Sequence, residues 1–168
     1  GSAGNAAKQI ETFTAAFYAR LPEEELALRS PQEWANIARS SFAFIQKRQP
    51  GVANIRVFNP QQAADGFESS HTVIHIVNDD MPFLVDSVSM ALSSFACSLH
   101  TLVHPVMPIL RDASGQLASI DASGNGLPNE SLIYLEIDRQ ANDDDMEKIR
   151  ASIATALSDV RESVADWR

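Results

Sequence analysis

The sequence predicts an α+β fold in which helices back one face of an antiparallel sheet and a helical extension precedes it. Apolar residues recur at helical spacing through residues 1–50, and the middle of the chain then shifts to short β-branched runs. From Thr72 onward the segments read strand, helix, strand, strand, helix. The 168 residues suit one main compact domain able to bury a core without disulfides or metals. We divide it into a helical extension, 1–50, and an α+β domain, 51–168. Gly1-Ser2 reads as the scar of a removed tag, and Trp167-Arg168 ends inside a helical pattern with no terminator, so the chain is expected to be an excised fragment.

Ile10, Phe13 and Phe17 define the apolar side of a first helix, and Pro22 breaks it and can start a short acidic turn. Ser30-Pro31-Gln32-Glu33 combines a capping serine, proline at the first helical position and a glutamate able to reach back to the cap. Trp34, Ile37, Ala38, Phe42 and Ile45 then mark one helix face, closed by Pro50-Gly51. Ile55–Phe58 and Thr72–Val77 read as strands. After Asn78-Asp79-Asp80 and Pro82, helical spacing returns at Leu84, Val88, Ala91, Leu92 and Phe95.

Residues 101–111 form an apolar stretch interrupted by Pro105 and Pro108, which places this strand at a sheet edge or gives it a bulge, because proline cannot donate to a ladder. Asp112-Ala113-Ser114-Gly115 reads as a turn leading to a return strand at Leu117–Ile120, and residues 121–126 as a mobile loop. Ile133, Leu135 and Ile137 alternate with Tyr134, Glu136 and Asp138, so one face is expected to be buried and the other to meet water or a partner. Asp143, Asp144 and Asp145 favour the start of a last amphipathic helix, striped by Met146, Ile149, Ile153, Leu157, Val160 and Val164 toward Trp167. The order is that of a ferredoxin-like βαββαβ plan lacking its last strand, and Ile55–Phe58 is placed to fill the vacant edge.

A net charge of −9 with scattered Lys and Arg excludes the cationic surface that nucleic acid demands. No apolar run approaches the roughly 20 residues of a membrane span. The single cysteine, Cys97, falls in an apolar helical pattern and reads as a buried free thiol suited to a reducing cytoplasm.

The sharpest local feature runs from His75 to Val88, where a strand end meets a helix start and unpaired backbone N–H groups become available. Two readings stand side by side. Asp79 or Asp80 caps the helix; or one of them meets an ammonium group while helix amides hold a carboxylate, as a zwitterionic amino acid requires. The candidate ligand residues are Asn78, Asp79, Asp80, Met81, Pro82, Phe83, Leu84, Asp86 and Ser87.

Asn78-Asp79-Asp80-Met81-Pro82-Phe83-Leu84-Val85-Asp86-Ser87-Val88 resembles the hallmark of the N-terminal region of the large bacterial NAD-dependent glutamate dehydrogenases. The likeness extends upstream through Ala16-Phe17-Tyr18 and downstream through Leu102-Val103-His104-Pro105-Val106 to the acidic last helix. It implies an ACT-like regulatory domain far ahead of the catalytic portion, with NAD as cofactor of the parent enzyme and none in this stretch. Other ACT domains usually carry Pro-Gly at this turn. Here Phe83 follows Pro82, and a large side chain there can plug the pocket.

His71 and His75 share a strand face, as do His100 and His104 if their strand is regular, yet no Cys pair or spaced carboxylate completes a metal set. Asp143–Asp145 lacks the spacing and glycine of a calcium loop. No glycine-rich strand–turn–helix for a nicotinamide, no Gly-x-Ser-x-Gly elbow and no Cys–His pair is present. Catalytic residues are therefore expected to be none. An acyl-phosphate hydrolase on the same plan would need an arginine cradle where this turn is acidic. Self-association through an edge strand or the last helix is expected to be available.

Overall fold

The computed structural model describes residues 2–121 and 126–166. Most of the expected loop at 121–126, and Trp167, therefore lie outside the described residues. Six strands, β1 (Asn54–Phe58), β2 (Thr72–Asp79), β3 (Leu99–Val103), β4 (Val106–Arg111), β5 (Leu117–Ile120) and β6 (Asn129–Ile137), form one antiparallel sheet. Its order is β1-β2-β6-β4-β5, with β3 also on β6. β1 lies against β2 from Asn54↔Val77 to Phe58↔Val73, so the upstream strand fills the edge left by the missing last strand.

Pro105 cuts the apolar stretch at 101–111 into two strands that share one side of β6. β3 pairs with its far end, Leu102 opposite Leu135, and β4 with its near end, Met107 opposite Glu130. Register shifts occur between Leu99 and Thr101 in β3 and between Leu110 and Arg111 in β4, neither at a proline, and β4 lies between β6 and β5 instead of at the expected edge. β4 then turns through Asp112–Gly115 into β5 as a hairpin, with Ile109 opposite Ile120.

Helices α5 (Leu84–Ser93) and α6 (Asp143–Ala165) of the ferredoxin-like unit lie on one face of the sheet. There Leu84, Val88, Leu92, Ile149, Ile153 and Leu157 close an aliphatic core over Ile74, Ile76, Ile133, Leu135 and Ile137. Alternation along β6 dictates which residues point this way. Asn142 caps α6 by accepting the Asp145 amide at 2.9 Å, leaving the three aspartates in the first turn against the positive end of the helix dipole. At the other end of α5, Ala96 takes a left-handed φ of 53°, so Phe95 and Cys97 fall beyond the helix rather than within it.

The opposite face does not meet water, and this corrects the expectation drawn from β6. Helices α1 (Ser2–Ala19) and α3 (Pro31–Phe44), with the short α2 (Glu23–Leu26) between them, bring Phe13, Phe17, Trp34, Ile37 and Ala38 onto Val73, Val77, Leu132 and Tyr134. Glu136 and His75, on the same face, have 0% exposure. The reason is area: an extension carrying its own apolar stripe must bury it, and the second sheet face is the surface at hand. Ser30 and Glu33 form the expected reciprocal capping box at the start of α3. A further short helix, α4 (Gln62–Asp65), lies between β1 and β2 and carries no apolar stripe by which sequence would reveal it.

Candidate functional site

The turn between β2 and α5 separates the expected ligand residues into four groups. Asn78, next to last in β2, faces α6 and accepts from Arg161 Nη2 at 2.6 Å through its Oδ1. Asp79 is gripped from both sides of the sheet, by Arg48 Nη2 at 2.6 Å and by Arg161 Nη1 at 3.0 Å. Burial alone would raise the Asp79 carboxyl, but the two guanidiniums outweigh it and hold the group below the usual carboxylate range. Asp80 accepts from Ser131 Oγ at 2.7 Å, and its amide donates to Asn129 O at 3.0 Å.

Neither aspartate caps α5, so the capping reading is corrected. The N-cap is Phe83, without a side-chain cap bond, at φ 71°. That left-handed backbone is the one glycine adopts at least cost, so the turn keeps the shape of a Pro-Gly turn while carrying a phenyl ring. Met81 and Leu84 pack into the aliphatic core, and Pro82 and Asp86 are exposed. Phe83 and Ser87 instead line an open groove of about 630 Å³ between α5 and α6, with Met90 and Asp159 among its other walls.

From Asp79 the charges continue inward. Arg48, 3% exposed, also donates from Nε to Glu130 Oε1 at 3.0 Å, and Glu130 receives Arg111 Nε at 2.8 Å on its other oxygen. Arg111 and Arg48 spend further N–H groups on the carbonyls of Ile45, Gly115, Gln49 and Val52. The chain Arg111–Glu130–Arg48–Asp79–Arg161 thus ties the segment after α3 to the hairpin, the sheet end and α6. Such a pairing is costly to break, since one partner's loss strands the other charge in low dielectric.

A second cluster sits at the far end of β6. Glu136 receives Arg29 Nη2, Ser69 Oγ at 3.0 Å and Tyr134 Oη at 2.8 Å, and His71 Nδ1 lies 3.0 Å away. Burial raises this carboxyl, yet Arg29 and the other donors bring it below its ordinary value. Tyr134 moves the other way, pushed well up by burial and then by the Glu136 charge. His71 stacks on His100 at 4.0 Å, and His100 Nε2 reaches Asp138 Oδ1 at 2.6 Å. Among the described residues no three His, Cys, Asp or Glu side chains gather as a metal site. His75 is enclosed by Phe44, Phe58 and Tyr134, and burial followed by the charge of Arg56 lowers its pKa to about 3.

Sequence reasoning missed Arg29, Arg48, Arg111, Arg161, Glu130 and Glu136. The usable signal lay in the first helices. Their stripe of Phe13, Phe17, Trp34 and Ile37 had to cover a sheet face, which makes any charge on that face a buried one needing a partner. Cys97 is a free, partly buried thiol whose pKa is raised by burial and by Asp138.

An antiparallel ferredoxin-like sheet with its two helices on one face, entered by an acidic strand–helix turn, defines an ACT-like module. The chain belongs to the glutamate dehydrogenase ACT1 domain family, whose model matches residues 13–153. It is 36% identical over 164 residues to the NAD-specific glutamate dehydrogenase of Halomonas elongata, covering 96% of this chain and 10% of that protein. It is 33% identical over 162 residues to the NAD-specific glutamate dehydrogenase of Pseudomonas aeruginosa, covering 95% of this chain and again 10% of the relative. The chain therefore spans about a tenth of the length of these curated relatives. No solved structure matches it. None of the described helices is long and apolar enough to cross a membrane.

Proposed function

We propose that this chain is the non-catalytic N-terminal regulatory or assembly module, residues 1–50 its helical extension and 51–168 its ACT-like domain, of an NAD-dependent glutamate dehydrogenase. The parent reaction, L-glutamate with NAD and water giving 2-oxoglutarate, ammonia and NADH, then belongs to the remaining chain, with NAD bound there, in the cytoplasm. The observation that supports this most is the disposition of charge. The groups a catalyst would deploy are tied up in ion pairs within the fold, Glu136 to Arg29, Glu130 to Arg48 and Arg111, and Asp79 to Arg48. They act as structural ties rather than as acids or bases facing a substrate. Its partners are the rest of the parent chain and a second copy of itself, the latter decided by light scattering. The test is direct: the isolated chain given L-glutamate and NAD should produce no rise in NADH absorbance, and measurable turnover would remove the reading.

A second reading, an amino-acid sensor acting through residues 78–87, is favoured by the left-handed Phe83 backbone and by the groove that Phe83 and Ser87 line. Its ammonium partner would be Asp80 or Asp86 of the turn, or Asp159 in the groove wall, since Asp79 already serves two arginines. A thermal-shift panel of the twenty amino acids checks it, and silence throughout at roughly millimolar concentration, an affinity worth about 4 kcal/mol, would eliminate it.

A further inference from the structure

We propose that the cleft between β1 and α6 is a binding site for a small carboxylate with a short apolar tail, its head group held by Arg161 and Asn78. This site goes beyond the readings above, for it lies on the opposite flank of α6 from the Phe83 groove. The cleft measures about 230 Å³ and is walled by Val52, Ile55 and Leu157, with Asn78, Ser158 and Arg161 supplying its polar end. A water claims about 30 Å³ in the liquid, so there is room for a molecule of several heavy atoms and not for a nucleotide.

Two independent features specify the head group. Asn78 is 1% exposed, and its Oδ1 is engaged by Arg161, yet its buried Nδ2 has no hydrogen-bond partner among the described residues. A buried amide left so is costly, and an acceptor arriving in the cleft relieves it. The second feature is charge. Within this ion-paired network three guanidiniums, Arg48, Arg111 and Arg161, share two carboxylates, Asp79 and Glu130. Arg161 is the outermost of the three, with its side chain 33% exposed, and it keeps N–H groups beyond those given to Asp79 and Asn78.

The walls decide against a zwitterion. No carboxylate lines the cleft among the described residues, so an ammonium group would be desolvated against Val52, Ile55 and Leu157 with nothing to pair it. An alkyl tail gains from the same surface. The ligand class is accordingly a monocarboxylate of a few carbons, not an amino acid.

The probe is sodium butyrate, titrated into the isotope-labelled 168-residue chain while backbone amide shifts are followed, with n-butylammonium chloride and sodium chloride as matched controls. Butyrate should move the amides of 51–55, 78 and 157–161 saturably, and neither control should. Arg161→Gln should weaken the response by about tenfold, the scale of one lost charge-assisted contact. Ala154→Phe fills the cleft without touching the ion pairs and should abolish the response while leaving the melting temperature in place, which keeps the test decisive if the arginine variant does not fold. No saturable shift by about 50 mM butyrate, below which even a weak millimolar complex would register, overturns the proposal. So does an equal response to butylammonium, or unchanged butyrate binding in Ala154→Phe.

Discussion

The two faces of the sheet are built on opposite principles. Under α5 and α6 the contact is aliphatic except where Arg161 meets Asn78 and Asp79 at the end of β2, with Ile74, Ile76, Ile133, Leu135 and Ile137 meeting Val88, Ile149 and Ile153. Under α1 and α3 the same strands present Tyr134, His75 and Glu136 to Phe13, Phe17 and Trp34, and charged side chains are sealed in with the aromatics. The first face is held by area and tolerates imprecision in side-chain placement. The second carries polar groups that need partners, since an unpaired one in low dielectric is costly; the Glu136 carboxylate is fully supplied, while His75 Nδ1 has no partner among the described residues. The lesson is that the extension acts as a lid that turns a half-open module into a closed sandwich.

The largest effect should come from deleting residues 1–50. Phe13, Phe17, Trp34 and Ile37 are each nearly fully buried, and at roughly 1.5–3 kcal/mol apiece their loss approaches the whole margin of about 5–15 kcal/mol that holds a domain together. The truncated chain should lose its cooperative thermal transition and bind a hydrophobic dye. A sharp transition in the deletion variant would show that the two faces are independent and that 51–168 stands alone.

Next in size is Glu136→Ala. It leaves Arg29 and the hydroxyls of Ser69 and Tyr134 without their acceptor, and should cost about 3–5 kcal/mol in urea unfolding. Ile153→Val, an equally buried site on the aliphatic face, should cost only about 1 kcal/mol. Equal losses at the two sites would dissolve the contrast between the faces.

Acid sharpens the contrast further. His75 titrates at about 3 when folded and near 6.5 when unfolded, so between those values the unfolded chain binds the extra proton. Stability therefore falls as pH drops below about 6.5, by roughly 1.4 kcal/mol per pH unit at most. Asp79 and Glu136, whose folded pKa values are depressed, contribute stability that is present above their unfolded values and lost at still lower pH. His75→Leu should shrink the difference in unfolding free energy between pH 7 and pH 5 by about 2 kcal/mol. An unchanged pH profile would mean that His75 takes up its proton without opening the aromatic face.

The same contrast explains what could be read from sequence. Stripes such as Ile149, Ile153, Leu157 and Val160 repeat within one element, and the capping box at Ser30 and Glu33 is local, so α3 and α6 were legible, whereas the division of 101–111 into β3 and β4 on one side of β6 was not. The hairpin at Ile109–Ile120 and the edge position of β1 followed from spacing and from the need to cover an edge. The ion pairs were not legible, because Arg48 and Glu130, or Arg29 and Glu136, are separated by 82 and 107 residues and nothing local marks them as partners. Asp79 and Asp80 misled for a related reason. An acidic pair before a helix matches the local pattern of a cap, but long-range partners, Arg48, Arg161 and Ser131, claimed both side chains.

The smallest effect compares the caps of the two layers. Ser30→Ala removes the acceptor of the Glu33 amide at the start of α3, and Asn142→Ala does the same for Asp145 at the start of α6; each should cost about 1 kcal/mol. Their couplings should differ. Arg29, the residue before the α3 cap, is the one that reaches Glu136, so loosening that helix start also loosens the arginine. Ser30→Ala combined with Glu136→Ala should be less than additive by roughly 0.5 kcal/mol or more, whereas Asn142→Ala with Ile153→Val, on separate turns with no shared partner, should add within about 0.3–0.5 kcal/mol. Additivity in both pairs would show that the polar face is a set of independent bonds; coupling confined to the first pair would show that the helix start and the buried carboxylate are positioned as one unit.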